Sequence, residues 1–293
     1  MRIVNFGSLN IDYVYRVDEF LRPGKTKPAR SREIFCGGKG LNQSIACARA
    51  GLSTFHAGFL GYEGMFLKEK LAESGVATDF IREVKQTCGH AIIQVSDSGQ
   101  NCILLYPGTN ALLTETFADE VLSHFSSGDV ALFQNETNLV PELIEKASRK
   151  GLKVALNAAP FTEAVKAFPL ELADWLFVNE IEGASLSGEA EYHAAARKLR
   201  KQYPRTEIIL TAGPRGCVYA GAEGTLEEPA ADVVPLDTTA AGDTFTGFYL
   251  MAALNGEGAK RALQVASAAS GLAITRMGAA DSIPAIGQVQ AVL

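Results

Sequence analysis

From about residue 114 to residue 210 the chain alternates between two periods, and this alternation limits the possible folds more than any other feature. A stretch of helical spacing near 114 to 125 leads into the apolar run Val130 to Gln134. A second, at 141 to 150, leads into Lys153 to Leu156, and the segment ending at Ala173 leads into Trp175 to Val178. A helix over about 190 to 203 then precedes Glu207 to Leu210. Short β-rich runs separated by helices build a parallel sheet covered on both faces, because each crossover returns the next strand beside the last. The spacing predicts an α/β architecture of three layers.

The first third of the chain is less regular. Ile3 to Phe6 reads as a buried strand, and Gly7-Ser8-Leu9-Asn10-Ile11-Asp12 as the turn that leaves it. Asn10 and Asp12 then lie at the strand's carboxyl end, where open α/β sheets bind ligands. Tyr13 to Val17 and Ala29 to Phe35 flank the turn Pro23-Gly24, and Gly89 to Val95 and Cys102 to Tyr106 flank Ser96-Asp97-Ser98-Gly99. These pieces, about 13–36 and 88–106, form a small β flap. Thr54 to Leu60 reads as a strand and Phe66 to Ser74 as a helix closed by Gly75. Residues 216 to 236 suggest short antiparallel strands, and 258 to 276 a buried Ala-rich helix. With 293 residues, 47% of them hydrophobic, the chain buries the core of one large domain, 1–293, carrying the flap.

Several functional classes are disfavoured. A net charge of -6 without a Lys/Arg cluster argues against nucleic acid as a partner. No apolar run approaches the roughly 20 residues needed to cross a bilayer, so no membrane is expected, and the start reads as a strand rather than a leader. The five cysteines, 36, 47, 88, 102 and 217, form no Cys-x-x-Cys pair, which suits a reducing cytoplasm. The four scattered histidines make a zinc site unexpected.

The chemistry concentrates at Asp237-Thr238-Thr239-Ala240-Ala241-Gly242-Asp243, which runs into the apolar helix Phe248 to Leu254. The first amides of a helix have no internal partner and, with the aligned peptide dipoles, attract phosphate. Ala240, Ala241 and Gly242 carry almost no side chain, so a bulky anion can touch the backbone itself. Asp243 repels such an anion, which makes sense if it takes a proton from a group attacking that anion. As a simple helix cap it needs no ligand.

A second anchor is Cys36-Gly37-Gly38-Lys39-Gly40-Leu41-Asn42-Gln43-Ser44. It lacks the Walker spacing, and no Gly-x-Gly-x-x-Gly occurs in the chain. A tight turn before a helix explains the glycines but not Lys39 and Asn42, which would point toward whatever the glycines admit. Asn10 and Asp12 match the hydroxyls of a polyol, or are simple turn formers. Glu136, at the end of another strand, reaches the same pocket or is solvated. Asn179 and Glu182 start a helix, where they are either ordinary first-turn residues or holders of waters around a hydrated magnesium ion. Thr211-Ala212-Gly213-Pro214-Arg215-Gly216 suits a loop along which a nucleotide phosphate lies.

With these residues in view, the sequence resembles the ribokinase / phosphofructokinase-B family of sugar kinases. Gly37-Gly38-Lys39-Gly40 with Asn42 is similar to the family's first signature, and Asp237 to Phe245 to its second, with Ala-Ala-Gly-Asp in the form of the ribose-acting members. Weaker matches cover Gly7 to Asp12, Asn157 to Pro160, Asn179 to Glu182, Thr211 to Gly216, and Thr275 to Ala279 with Ser282. The resemblance implies the family's three-layer fold with a mainly parallel sheet and a β-sheet lid, and phosphoryl transfer from ATP to a sugar hydroxymethyl group. It makes Asp243 the base, with the amides of Ala240, Ala241 and Gly242 stabilising charge on the transferring group. It places Asn10, Asp12, Gly38, Lys39, Asn42 and Glu136 around the sugar. Asn179, Thr211, Gly213, Gly216, Gly242 and Ser267 fall along the nucleotide, with Glu182 near magnesium. A potassium ion (K+) is implied at Asp237, Thr239, Ala273, Arg276, Gly278 and Ser282, and the lid is implied to pair two subunits into a homodimer.

The chain departs from the family pattern at Gly61 to Gly64 and at Lys25, which bear on the sugar, and at Pro214 and Ser267, which bear on the nucleotide. The expected function is phosphorylation of ribose or a related pentose. The alternatives are a hexose, nucleoside or sugar-phosphate kinase and, in a different class, a non-catalytic sensor of sugar or nucleotide.

Overall fold

The computed structural model describes all 293 residues. In chain order its strands are β1 (Arg2–Phe6), β2 (Asn10–Arg16), β3 (Ser31–Gly37), β4 (Ser53–Gly61), β5 (Ala77–Val84), β6 (Gly89–Val95), β7 (Asn101–Tyr106), β8 (Val130–Gln134), β9 (Lys153–Asn157), β10 (Trp175–Asn179), β11 (Glu207–Thr211), β12 (Cys217–Gly221) and β13 (Gly224–Glu228). The helices are α1 (Lys39–Arg49), α2 (Met65–Glu73), α3 (Glu115–Ser123), α4 (Val140–Arg149), α5 (Glu180–Ser187), α6 (Tyr192–Gln202), α7 (Ala241–Leu254), α8 (Ala259–Ile274) and α9 (Ile286–Gln290).

Nine strands form one sheet in the order β13-β12-β11-β10-β9-β8-β1-β4-β5, parallel except where β12 pairs with β11 and β13. This is the mainly parallel sheet that the alternation predicts. Its strands divide their side chains between two cores because successive residues point to opposite faces. Ile3, Val130 and Leu132 join one core with α1, α7 and α8. Val4, Ala131 and Phe133 join the other with α3, α4 and α6. A second sheet of four strands, β3-β2-β6-β7, stands apart from the first.

The structure corrects the sequence reading in three places. Asn10 and Asp12 lie in β2, not in a turn; only Gly7 to Leu9 link the sheets, because β2 pairs along its whole length with β3 and β6. The edge strand β5 went unassigned because Thr78, Asp79, Arg82 and Glu83 dilute its apolar residues, which need cover one face only. Antiparallel pairing stops at Glu228 rather than reaching 236, consistent with Pro229 and Pro235, which lack the amide that a ladder needs.

Helix α7 is apolar on nearly every side and is buried from Asp243 to Ala252. It packs against α1 so closely that a Cβ on Gly247 would lie 2.5 Å from the Ala46 Cβ and 2.7 Å from the Cys47 nitrogen. One turn earlier on both helices are Asp243 and the pair Asn42 and Gln43, so this crossing sets the distance between the two sequence anchors. We predict that Gly247→Ala costs about 1–3 kcal/mol and lowers the melting temperature by several degrees in calorimetry. An unchanged melting temperature would mean that the helices can separate freely.

Candidate active site

Two cavities adjoin where α1 begins. The larger, of about 520 Å3, opens at the carboxyl ends of β9, β10 and β11. Lys39, Asn179, Glu182, Thr211, Gly213, Thr239, Ala240, Ala241, Gly242 and Asp243 line it, together with Thr238, Phe245 and Thr246. The smaller, of about 340 Å3, is lined by Asn10, Glu136, Tyr106, Asn110, Asn135 and Asn138. Glu136 joins them: its carboxylate accepts the Lys39 amide at 2.7 Å and the Ser8 hydroxyl.

The start of α7 has the character the sequence suggests. Ala240 caps it with φ near 60°, a left-handed conformation that a side chain disfavours. The amides of Ala240, Gly242 and Asp243 donate to no protein acceptor, and that of Ala241 only to the Thr238 carbonyl, at 3.3 Å. Three open amides thus belong to residues of the cavity wall, one of them Asp243 itself, a residue only 6% exposed. Asn42 donates to its Oδ2 at 3.1 Å and Gln43 to its Oδ1 at 2.8 Å.

Gly40 lets α1 start on the link between the sheets, since a Cβ there would lie 2.2 Å from the Ser8 nitrogen. Lys39 begins that helix and points into the larger cavity. Burial opposes its charge, but Asp243, Glu136 and Glu182 together outweigh burial and hold its amine above the usual lysine range. Burial pushes Glu136 and Glu182 upward. Burial, reinforced by the neighbouring Glu136, raises Asp12 to about 7. The Asp12 carboxyl lies over Gly37, where any Cβ would come within 2.2 Å of it. Asn10 is fixed by Asn110, which donates to its Oδ1 at 2.7 Å.

Asn179 and Glu182 cap α5 reciprocally. The Asn179 Oδ1 accepts from the Ile181 and Glu182 amides, and the Glu182 Oε2 accepts from the Asn179 amide at 2.8 Å. Both also face the larger cavity. Gly216 and Ser267 do not line it. A Cβ on Gly216 would strike the Glu228 carbonyl, and the Ser267 hydroxyl donates to the Pro229 carbonyl at 3.0 Å, so both residues anchor the chain that leaves β13.

Behind the α7 turn, the loop at 237–239 is tied to the loop at 273–282. The Asp237 Oδ1 accepts the Thr239 amide and hydroxyl, and its Oδ2 accepts the Gly278 amide at 2.9 Å. Burial would raise Asp237, yet these donors and the nearby Arg16 hold it below the usual carboxylate range. The Ile274 carbonyl accepts the Leu236 and Asp237 amides, and buried Ser282 donates to the Ala279 carbonyl. Ala273 and Arg276 close the same loop through an amide-to-carbonyl bond.

Gln43, Gln134 and Asn110 escaped the sequence reading. Their signal was available in part: Gln43 shares its face of α1 with Gly40, Ala46 and Cys47, and a buried amide there must have a partner.

The chain has relatives among known proteins. The model of the pfkB family of carbohydrate kinases matches residues 1–286. The chain is 32% identical over 287 residues to the ribokinase of Haemophilus influenzae, covering 95% of this chain and 94% of that protein. It superposes on the ribokinase of Cryptococcus neoformans, solved with ADP, with a TM-score of 0.89 and 30% identity, over 100% of this chain and 99% of that one. The ribokinase of Thermotoga maritima gives the same TM-score and identity, over 99% and 98% of the two chains.

The raised Asp12 has a stability consequence. Its folded value near 7 lies above its ordinary 3.8, so the contribution from its bound proton is fully present below about pH 4 and is lost as the pH rises through 7. We predict that, in urea unfolding between pH 5 and 8, stability declines more with pH in the unsubstituted protein than in Asp12→Asn. Parallel curves would show that Asp12 is ionised throughout.

Proposed function

The chain belongs to the pfkB family of carbohydrate kinases, and we propose that within it the substrate is ribose, phosphorylated at its hydroxymethyl group with ATP as donor. The observation that carries this reading is the juxtaposition at the start of α7, where an amide-held carboxylate sits beside three unpaired backbone donors. Identity of 32% to a ribokinase over nearly the full length supports the choice of sugar.

The sugar sits where the two cavities adjoin, with Asn10 and Glu136 on the side of the smaller and Lys39 on the side of the larger. Asp12, Gly38 and Asn42, which line neither, complete its surroundings, and its hydroxymethyl group is turned toward Asp243. ATP lies in the larger cavity along Asn179, Thr211 and Gly213 and directs its terminal phosphoryl group at the open amides. Asp243 takes the hydroxyl proton as the sugar oxygen bonds to phosphorus. The bond from phosphorus to the bridging oxygen breaks, and its electron pair leaves with ADP. Lys39 and the amides of Ala240 and Gly242 stabilise the charge spread over the transferring group.

Two ions fit the residues present. Glu182 is a buried carboxylate on the nucleotide side and uses one oxygen for capping, so with Asn179 it would hold waters of a magnesium ion, which neutralises phosphate charge when bound. The loop pair at 237–239 and 273–282 would hold a monovalent cation at Asp237, Thr239, Ala273, Arg276, Gly278 and Ser282. The net attraction that keeps Asp237 ionised suits such a cation.

The four-stranded sheet acts as the lid, moving about the link at Gly7 to Leu9 and excluding water, which would otherwise accept the phosphoryl group. Its outer strand leaves Ile103 and Leu104 52% and 67% exposed, an apolar surface suited to a second copy of the chain in a homodimer. The chain's five unpaired cysteines suit a reducing cytoplasm.

Sugar-dependent ADP release across a panel of pentoses, hexoses and nucleosides tests the proposal; ribose is expected to give the highest kcat/KM, and a better hexose or nucleoside would replace it. Asp243→Asn should lower kcat by orders of magnitude while ribose binding in calorimetry persists. Near-normal turnover would remove Asp243 from the chemistry. Potassium should raise activity over sodium-only buffer, and equal rates would dismiss the cation site.

A further inference from the structure

Asp243 is joined to the interior by a line of buried amides that touches neither cavity. Gln43 donates to its Oδ1 at 2.8 Å, and Gln134 donates to the Gln43 Oε1 at 2.7 Å. Gln134 also donates to the Asn5 Oδ1 at 3.1 Å, and Asn5 donates to the Gly40 carbonyl at 2.8 Å and to the Ser44 hydroxyl at 2.9 Å. Ser44 meets the Nδ1 of His56 at 2.8 Å, and the His56 Nε2 meets the Gly7 carbonyl at 3.2 Å. Gln43, Asn5, Ser44 and His56 have no exposed surface, and Gln134 is 1% exposed. The line crosses α1 and three adjacent central strands, β8, β1 and β4.

Each direction in this line is forced. A carboxylate only accepts, so Gln43 must turn its NH2 toward Asp243 and its carbonyl toward Gln134. Gln134 must then present its NH2, and Asn5 its carbonyl. Burial lowers His56 to about 4, so the ring is neutral; its Nε2 hydrogen faces the Gly7 carbonyl and its Nδ1 accepts from Ser44. One arrangement of hydrogens satisfies every contact, and it runs from the base to the main-chain carbonyls of Gly7, at the start of the link between the sheets, and of Gly40, in the first turn of α1.

The two donors to Asp243 therefore differ in kind. Asn42 belongs to the sugar site, and its buried Oδ1 has no partner in the protein, so its amide is free to turn when a hydroxyl arrives. Gln43 cannot turn without breaking the line behind it. We propose that Gln43 is a positioning residue, with Gln134 as its support: it fixes the Asp243 carboxylate so that the free lone pair of Oδ2 faces the sugar hydroxyl. The role rests on the reading of Asp243 as the base.

A double-substitution cycle tests it, because a residue that acts only through another loses its effect once that other is disabled. Gln43→Met is close in shape and makes no donor. Its kcat should fall roughly 10- to 100-fold, while KM for ribose and for ATP stays within about threefold. In the Asp243→Asn background the same substitution should change residual turnover by less than about twofold. A near-normal kcat for Gln43→Met, or the same fractional loss in both backgrounds, would overturn the proposal. Should Asp243→Asn itself turn over normally, the fault would lie with the base and not with its support. If Gln43→Met does not fold, Gln134→Met takes its place in the cycle with the same two outcomes, because it leaves Gln43 present but unheld.

Discussion

The contact between α1 and α7 through the Asp243 carboxylate is the constraint on which the rest of the structure depends. Each helix opens with small residues, and each brings a positive dipole end to the same place. A buried carboxylate between two helix starts is well suited there, provided its own acceptors are satisfied, and Asn42 and Gln43 satisfy them. Gly247, one turn further on, lets the helices come close enough for both bonds to form. Take away the close crossing and the acid would sit beside a phosphate site with nothing to orient it.

The sheet supplies what the helices cannot. Its parallel strands end together, so loops distant in sequence, at Asn157, Asn179 and Thr211, arrive along one edge of one cleft. The apolar cores on both faces keep that edge rigid, while a strip of polar residues crosses the middle of the sheet. Asn5, Gln134 and His56 occupy positions where Val or Ile would pack without any need for partners. Buried polar groups of this kind are tolerated only when their hydrogen bonds are made, and here nearly all are. Gln134 keeps an unpartnered Oε1, the one loose end of the strip.

Much of this was legible in the sequence because it rests on local signals. The alternation from 114 to 210 gave the strands and helices of the parallel sheet to within a residue or two, and small residues before Asp243 marked the anion turn. The failures share a cause, since each depends on contacts remote in sequence. Asn10 and Asp12 look like turn formers until β3 and β6 are placed beside them. The β5 strand is half polar because it lies at an edge. Gln43 and Gln134 are 91 positions apart, and nothing local to either reveals that they hold one carboxylate between them. Gly216 lies in a stretch similar to the family's and Ser267 departs from the family pattern, yet both meet the chain at Glu228 and Pro229 rather than the cavity.

Ala240 has a further consequence. Glycine would adopt its left-handed backbone without strain, whereas alanine gives up about 1 kcal/mol to stand there. In exchange, the loop samples fewer shapes, before folding as well as after it. Its donors are therefore already gathered when a phosphate enters, and association spends little entropy on arranging them. The burden of preorganisation has been moved from the moment of encounter to the moment of folding.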